Sequence, residues 1–177
     1  MADDLKPAVS LYETDLVAWS EAQVLALRRG GPIDREHIAG EIEDLGKSEQ
    51  RACESLLDQI VLHLLKIQFG VDRASEQHWR GEVRTFRRNL ARRLTPTIER
   101  RIRPTLEAVI TQALEDLIED GLVAAGTPVP TGYDWDAVTT AGRFPPLRAF
   151  PDSVFKDRMS VPSPLAGEGG RAAGEVG

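Results

Sequence analysis

The sequence predicts an all-α fold: an antiparallel four-helix bundle with one long second helix, followed by an irregular C-terminal segment and a disordered tail. Three observations predict it. Four segments repeat their apolar residues at about 100° per residue, the helical period, rather than alternating them as a strand would. Glycine, proline or a capping side chain stands at each break between segments. The links are short, so neighbouring amphipathic helices cover one another's apolar faces.

The first segment covers about residues 13 to 29. Leu16, Trp19, Gln23 and Leu27 share a face with Val24 on its flank. Gly30, Gly31 and Pro32 end it, because glycine takes the left-handed cap and proline cannot extend a helix. Asp34 is placed to cap the second segment, with Glu36 in its first turn.

That second segment is long, about residues 35 to 69. Ile38, Ile42, Leu45, Ala52, Leu56, Ile60 and Ile67 fall within about 40° of one line. Its front half, "EIEDLGKSEQ", is charged, and its end, "LDQIVLHLLKIQFG", is apolar nearly all round. An element of the second kind is enclosed on several sides. Gly40 and Gly46 each cost about 1 kcal/mol relative to alanine, and Gly46 is a place for a kink.

Ser75 is placed to cap the third segment, about residues 75 to 94, whose stripe is Trp79, Val83, Phe86, Leu90 and Leu94. Thr95 and Pro96 stop it, and "TIERRIR" reads as a turn or a distorted helical piece. Pro104, tolerated at a first helical position, opens the fourth segment, with Leu106, Ile110, Ala113 and Leu117 inward and Gly121 at its end. Beyond Gly126 the chain is rich in proline, with one short helical candidate, "DWDAVTTAG", and with Tyr133, Trp135 and Phe144 expected to fold back over the bundle. The predicted organisation is one helical domain over 11–150 and a low-complexity Gly/Pro/Ala-rich tail over 151–177, which buries too little to offset its ordering entropy.

Composition excludes several classes. A 41% hydrophobic fraction supports a packed core, and a net charge of −6 with a pI near 5.2 argues against wholesale binding to nucleic acid or an anionic membrane. The single cysteine, Cys53, excludes an internal disulfide and a cysteine zinc cluster and fits a reducing compartment. "MADDLKPAVS" lacks an apolar signal core, and no run reaches the roughly 18 apolar residues of a membrane span. The expected location is the cytoplasm.

Four stretches together carry a resemblance: "LYETDLVAW" with Gln23 after it, "EIEDLGKSE", "LLDQIVLHLLKIQ" and the tryptophan of "HWRGEVRTFRRNL". Over about residues 11 to 122, extending to about 150, the chain resembles the bacterial family catalogued as domain of unknown function 29. The resemblance implies an all-helical cytoplasmic domain and brings no activity or functional residue with it. Two places depart from the family pattern. Ile67 stands where members often have a tryptophan after "HLLK". The stretch "GYDWDAVTTAGRFPP" replaces a segment with a proline–aromatic pair after a cysteine.

Two polar residues intrude on the second segment's stripe. With Ile38 at zero, Glu49 lies at about 20° and His63 at about −20°. They are about 21 Å apart along a helix, so each needs a partner from elsewhere, Gln23 and Asp15 on the first helix or His78 and Glu82 on the third. One reading is a pair of buried groups satisfied by neighbouring helices. The other is chemistry: His63 and Glu49 as acid/base groups, or His63, His78 and Glu41 as metal ligands drawn from facing helices. The repeated Glu-x-x-His signature of bundle metal sites is missing, although His37 and Glu41 form an i, i+4 pair. Neither a nucleophile elbow nor a glycine-rich phosphate loop occurs, and no cofactor is expected. Lys66, three residues after His63, lies off the stripe, where an ion pair serves its charge.

The strongest charge feature is the basic run 80–103, with nine arginines and two glutamates, net +7, against −13 for the remainder. Arg80, Arg84, Arg87, Arg88 and Arg92 span about 80° to 220° from Trp79, opposite the apolar stripe. Such a face binds phosphates through counterion release. It also pairs with acidic neighbours, and residues 104–123 carry five acids and no base. The absence of interleaved aromatics and the acidic whole favour the second use. The sequence is therefore read as a non-catalytic interaction module with a protein partner or a second copy of itself, contacted through the arginine face. A small metal-binding or acid/base enzyme centred on His63 and a nucleic-acid-associated protein are the alternatives.

Overall fold

The computed structural model of the chain describes residues 10–72 and 74–144. The expected irregular stretch beyond Phe144 and the tail over 151–177 lie outside the described residues. Those described are mostly α-helical, and no strand occurs among them. In order they form α1 (Leu11–Thr14), α2 (Leu16–Arg29), α3 (Arg35–Gln68), α4 (Glu76–Arg93), α5 (Pro96–Ile102), a 3₁₀ turn (Arg103–Thr105), α6 (Leu106–Glu119) and α7 (Trp135–Thr139). The chain groups into two compact units, whose boundary falls between Glu54 and Ser55, inside α3.

In the first unit, Asp15 leaves helical geometry and caps α2 by accepting the Ala18 N–H, which separates α1 from α2. Gly30 ends α2 at φ 71°, a conformation that costs glycine little. Asp34 caps α3 as its position predicts, accepting the His37 N–H. The Gln23 side chain accepts the backbone N–H of Asp34, and the Tyr12 hydroxyl donates to Glu41 at 2.7 Å. These pairings run in opposite directions along the chain, so α2 and the front of α3 form an antiparallel hairpin. Its inner seam is aromatic: the Tyr12 ring lies 4.9 Å from Trp19 and 4.0 Å from His37.

The stripe expected to be buried along the front of α3 is not. Ile42 and Leu45 are each 65% exposed, and Leu16, Val17, Val24 and Leu27 of α2 are exposed as well. The hairpin spends its inner face on Trp19, His37 and Glu41, which lie to one side of the Ile42–Leu45 line, and that line stays exposed. Gly40 and Gly46 sit within helix that continues without interruption.

The second unit holds the main core. The C-terminal part of α3 is buried on nearly all sides, through Leu57, Ile60, Val61, Leu64 and Leu65, as its all-round apolar sequence requires. Val83 and Leu90 of α4, Ile98 and Ile102 of α5, and Ile110, Ala113, Leu114 and Leu117 of α6 complete it. "TIERRIR" forms a full helix rather than a turn. Thr95 caps it through the Ile98 N–H, and Pro96 supplies a φ already suited to a first helical position. Pro104 lies in the 3₁₀ turn that follows, and α6 begins two residues later. Ser75 precedes α4 but does not cap it, because its hydroxyl donates to the Asp72 carboxylate instead.

Candidate functional site

His63 sits on α3 in the core of the second unit, 8% exposed. Its Nδ1 lies 2.7 Å from the backbone carbonyl of Gln59, one turn earlier. A carbonyl only accepts, so Nδ1 carries a proton and donates. The other ring nitrogen, Nε2, lies 2.8 Å from Oε2 of Glu82 on α4. A hydrogen bond there requires one further proton between imidazole and carboxyl. The same Glu82 oxygen lies 3.4 Å from Nε2 of His78, one turn before it on α4 and well exposed. Phe86, one turn after Glu82, meets the His63 ring edge-on at 5.5 Å between centroids. One carboxylate thus bridges a buried and a solvent-facing imidazole.

Of the sequence-named candidates, His63 and His78 are brought together, and Glu82 is the group that joins them. The others serve elsewhere. Gln23 holds the backbone at Asp34, and Asp15 caps α2. Glu41 takes the Tyr12 hydroxyl, and that hydrogen bond, rather than the lesser effect of burial, chiefly raises the Tyr12 pKa. His37 lies 2.7 Å from Asp34, so the His37/Glu41 pair does not act as one site. Glu49 is half-buried. Lys66 stands 5.9 Å from the ring centre of Trp79, a cation–π contact in place of the expected ion pair. Among the described residues, no group of three or more His, Cys, Asp or Glu side chains is placed to hold a metal ion. Two cavities of this unit, of about 440 and 690 Å³, are lined by other residues. Asp58, Gln59, Thr105 and Asp116 border the first, and Arg103, Glu107, Val129 and Tyr133 the second.

The arginine run divides in two. Arg87, expected on the outward face, is 2% exposed. Its Nε donates to the Val138 carbonyl and its Nη2 to the Ala137 carbonyl, each at 2.7 Å, and Phe144 lies 5.3 Å from the guanidinium. The cation satisfies carbonyls at the C-terminal end of α7, where the helix dipole favours positive charge. Burial pulls its pKa down to about 10. Arg80 is also turned inward, with Glu76 at 2.8 Å and Phe144 at 4.6 Å. Arg84, Arg88 and Arg92 are exposed. Arg88 donates to the Thr85 hydroxyl, but no acidic side chain among the described residues pairs with any of the three. The wheel held the signal for this division: Arg87 and Arg80 lie nearest the apolar stripe, at about 80° and 100°, and the exposed three lie beyond.

The pattern of residues 11–141 matches the family described as "Domain of unknown function DUF29". The chain belongs to this family. No curated protein and no solved structure matches it. The DUF29 match ends within the described residues and takes in α7, so the Arg87–α7 contact lies inside the family region. Tyr133, which sequence reasoning assigned only to a fold-back, is buried in this DUF29 domain and its hydroxyl donates to the Gln68 side chain. Burial raises its pKa. A polar tip on an otherwise buried ring at the end of an all-apolar helix is a signal for such a pair, since Gln68 is a polar residue at the last position of α3. No helix among the described residues is long and apolar enough to cross a membrane.

Proposed function

We propose that this DUF29 chain is a non-catalytic interaction module that recognises an acidic protein partner through the α4 arginines. One observation carries the reading: Arg84, Arg88 and Arg92 stand exposed at i, i+4 and i+8, with no acidic side chain among the described residues to neutralise them. Three guanidinium groups in a row along one helix present forked donors to carboxylates at one-turn spacing. The contact surface is smaller than the whole arginine run, since Arg80 and Arg87 serve the fold. In this proposal the domain works as a four-helix bundle in a bacterial cytoplasm, the architecture its apolar stripes favour and the compartment its single cysteine favours.

The test is affinity capture with wild type and an Arg84→Glu/Arg88→Glu variant that melts at the same temperature. Selective loss of partners from the variant supports the proposal, and identical partner sets overturn it. A salt titration against mixed RNA and duplex DNA tests a nucleic-acid partner: affinity that falls steeply with salt and is abolished in the variant would replace the protein partner with a phosphate backbone.

A second reading rests on the His63–Glu82–His78 arrangement. A buried imidazole linked through a carboxylate to an exposed one is a composition that acid/base chemistry uses. Metal content after chelator-free purification, and activity profiling of His63→Gln, test it. A variant that keeps every measured function returns the cluster to a structural role.

A further inference from the structure

The exposed apolar face of the first unit has a periodicity of its own. On α3, Arg35, Ile38, Ile42, Leu45, Glu49 and Ala52 are spaced alternately by three and four residues. On α2, Val17, Ser20, Val24 and Leu27 follow the same rule. Alternating three-four spacing is the seam of a helix that packs against another at a shallow angle. Among the described residues, the α2 seam is exposed throughout, and the α3 seam is exposed at Ile42 and Leu45 and half-buried at Ile38, Glu49 and Ala52. The hairpin's internal contacts use Trp19, Gln23, His37 and Glu41, and Val17, Val24, Leu27, Ile42 and Leu45 remain between 44% and 68% exposed. A seam on each of two antiparallel helices is half of a four-helix bundle.

We infer that this face is a self-association surface, and that two copies of the chain pair hairpin to hairpin as an antiparallel four-helix dimer. Area and charge both support a second copy as the occupant. The five apolar side chains with Leu16 expose roughly 600 Å² per copy, close to the ~800 Å² that each partner contributes to a standard interface. An apolar patch of that size lies at the upper end of what a monomer exposes, where such patches are often contact sites.

Charge selects the arrangement. The turn end of the hairpin carries Arg28, Arg29 and Arg35, against Asp34, which is engaged by His37, and Glu36. The opposite end of α2 and the chain before it carry Glu13, Asp15 and Glu21 and no base between residues 10 and 21. A twofold axis along the helices would stack the two arginine ends on each other. An axis across the helices lays each arginine end on the partner's acidic end, with α2 antiparallel to α2 and α3 antiparallel to α3. In that arrangement Arg28 approaches Glu21 of the second copy, both residues flanking the Val17–Val24 seam. Self-complementarity of this kind is what a twofold interface demands. The surface uses no residue of the arginine ladder of α4, so the two readings are tested by different variants.

The test uses the full chain in sedimentation equilibrium and light scattering over about 1–200 µM, a range wide enough to bracket a micromolar dimer. Wild type is expected to dimerise. Ile42→Glu/Leu45→Glu is expected to raise the dimer dissociation constant roughly tenfold or more, with far-UV circular dichroism unchanged because both side chains are already exposed. Arg28→Glu weakens the dimer several-fold, and Glu21→Arg added to it restores wild-type affinity. A chain monomeric throughout overturns the inference. So does a dimer that Ile42→Glu/Leu45→Glu leaves unchanged, which would assign dimerisation to another surface. A monomer in which the same variant newly exposes residues 145–177 to protease assigns the face to the chain's own C-terminal residues and also overturns it. Failure of the Glu21→Arg rescue, with the apolar variant still monomeric, overturns the antiparallel arrangement.

Discussion

The imidazole of His63 and the carboxylate of Glu82 lie 2.8 Å apart between α3 and α4, and the geometry leaves one proton between them. The Gln59 carbonyl fixes which ring nitrogen carries the other proton. This pair ties two helices of the second unit together at a point where the surrounding side chains are apolar. Glu82 is two-thirds buried and also within reach of His78, so the contact is neither a surface ion pair nor a fully dry one.

A double-mutant cycle on His63→Ala and Glu82→Ala is therefore expected to return a coupling of about 0.5–3 kcal/mol from urea unfolding. The His63 change alone should cost the more, since it empties core volume and takes the partner from Glu82. Additive single changes would mean that the two groups do not share a bond. Nitrogen-15 shifts of the ring should show the proton on Nδ1, where the Gln59 carbonyl accepts it.

Arg87 and the Arg84–Arg92 ladder predict opposite outcomes on one helix. Arg87→Met should cost about 2–4 kcal/mol and release α7, because the Val138 and Ala137 carbonyls lose their donors inside the protein. Arg84→Glu/Arg88→Glu should shift stability by only about 0.5 kcal/mol or less per site. Urea midpoints for the two variants check this, with hydrogen exchange at residues 135–139 reporting on α7.

Asp34 makes the α2–α3 turn sensitive to acid. Its hydrogen bond with the His37 ring holds its pKa below the ordinary 3.8, so the folded state favours the carboxylate. The stabilisation is present above the ordinary value and is lost as pH falls through the folded one. Wild type should lose melting temperature more steeply than Asp34→Asn between about pH 5 and 2, and parallel curves for the two would remove Asp34 from the account.

Tyr133→Phe isolates the Tyr133–Gln68 hydrogen bond. It removes only the hydroxyl and leaves the Gln68 oxygen, which is buried, without its donor. A loss of about 1–3 kcal/mol in urea is expected, and a neutral change would mean that water replaces the tyrosine. Since burial raises the Tyr133 pKa, the folded state favours the phenol. Its contribution is complete below the ordinary value of 10.0 and fades as pH rises above it, so the wild-type advantage over the variant should shrink in strong base.

The sequence by itself determined where the helices lie. Asp34 opens α3 and Gly30 closes α2, while Thr95 and Pro96, which end α4, also open α5, a full helix where the sequence suggests a turn or a distorted helical piece. These are interactions within a few residues, so the local sequence contains all the partners they need. The all-round apolar end of α3 likewise announced its enclosure, because no surface helix keeps five apolar residues on every side. The His63–Glu82 contact was legible as one of a few pairings, since His63 lies within the apolar stripe of its helix and Glu82 is among the few polar groups of the third segment able to reach it.

Tertiary structure decided the rest. Whether Arg87 points at solvent or at the end of α7 depends on where residues 137 and 138 come to lie, some fifty positions away. Whether the Ile42–Leu45 seam is covered depends on which flank of α3 the rings of Tyr12 and Trp19 occupy. A helical wheel gives each residue an angle, but burial is set by what stands opposite that angle. Only the packed chain supplies that neighbour.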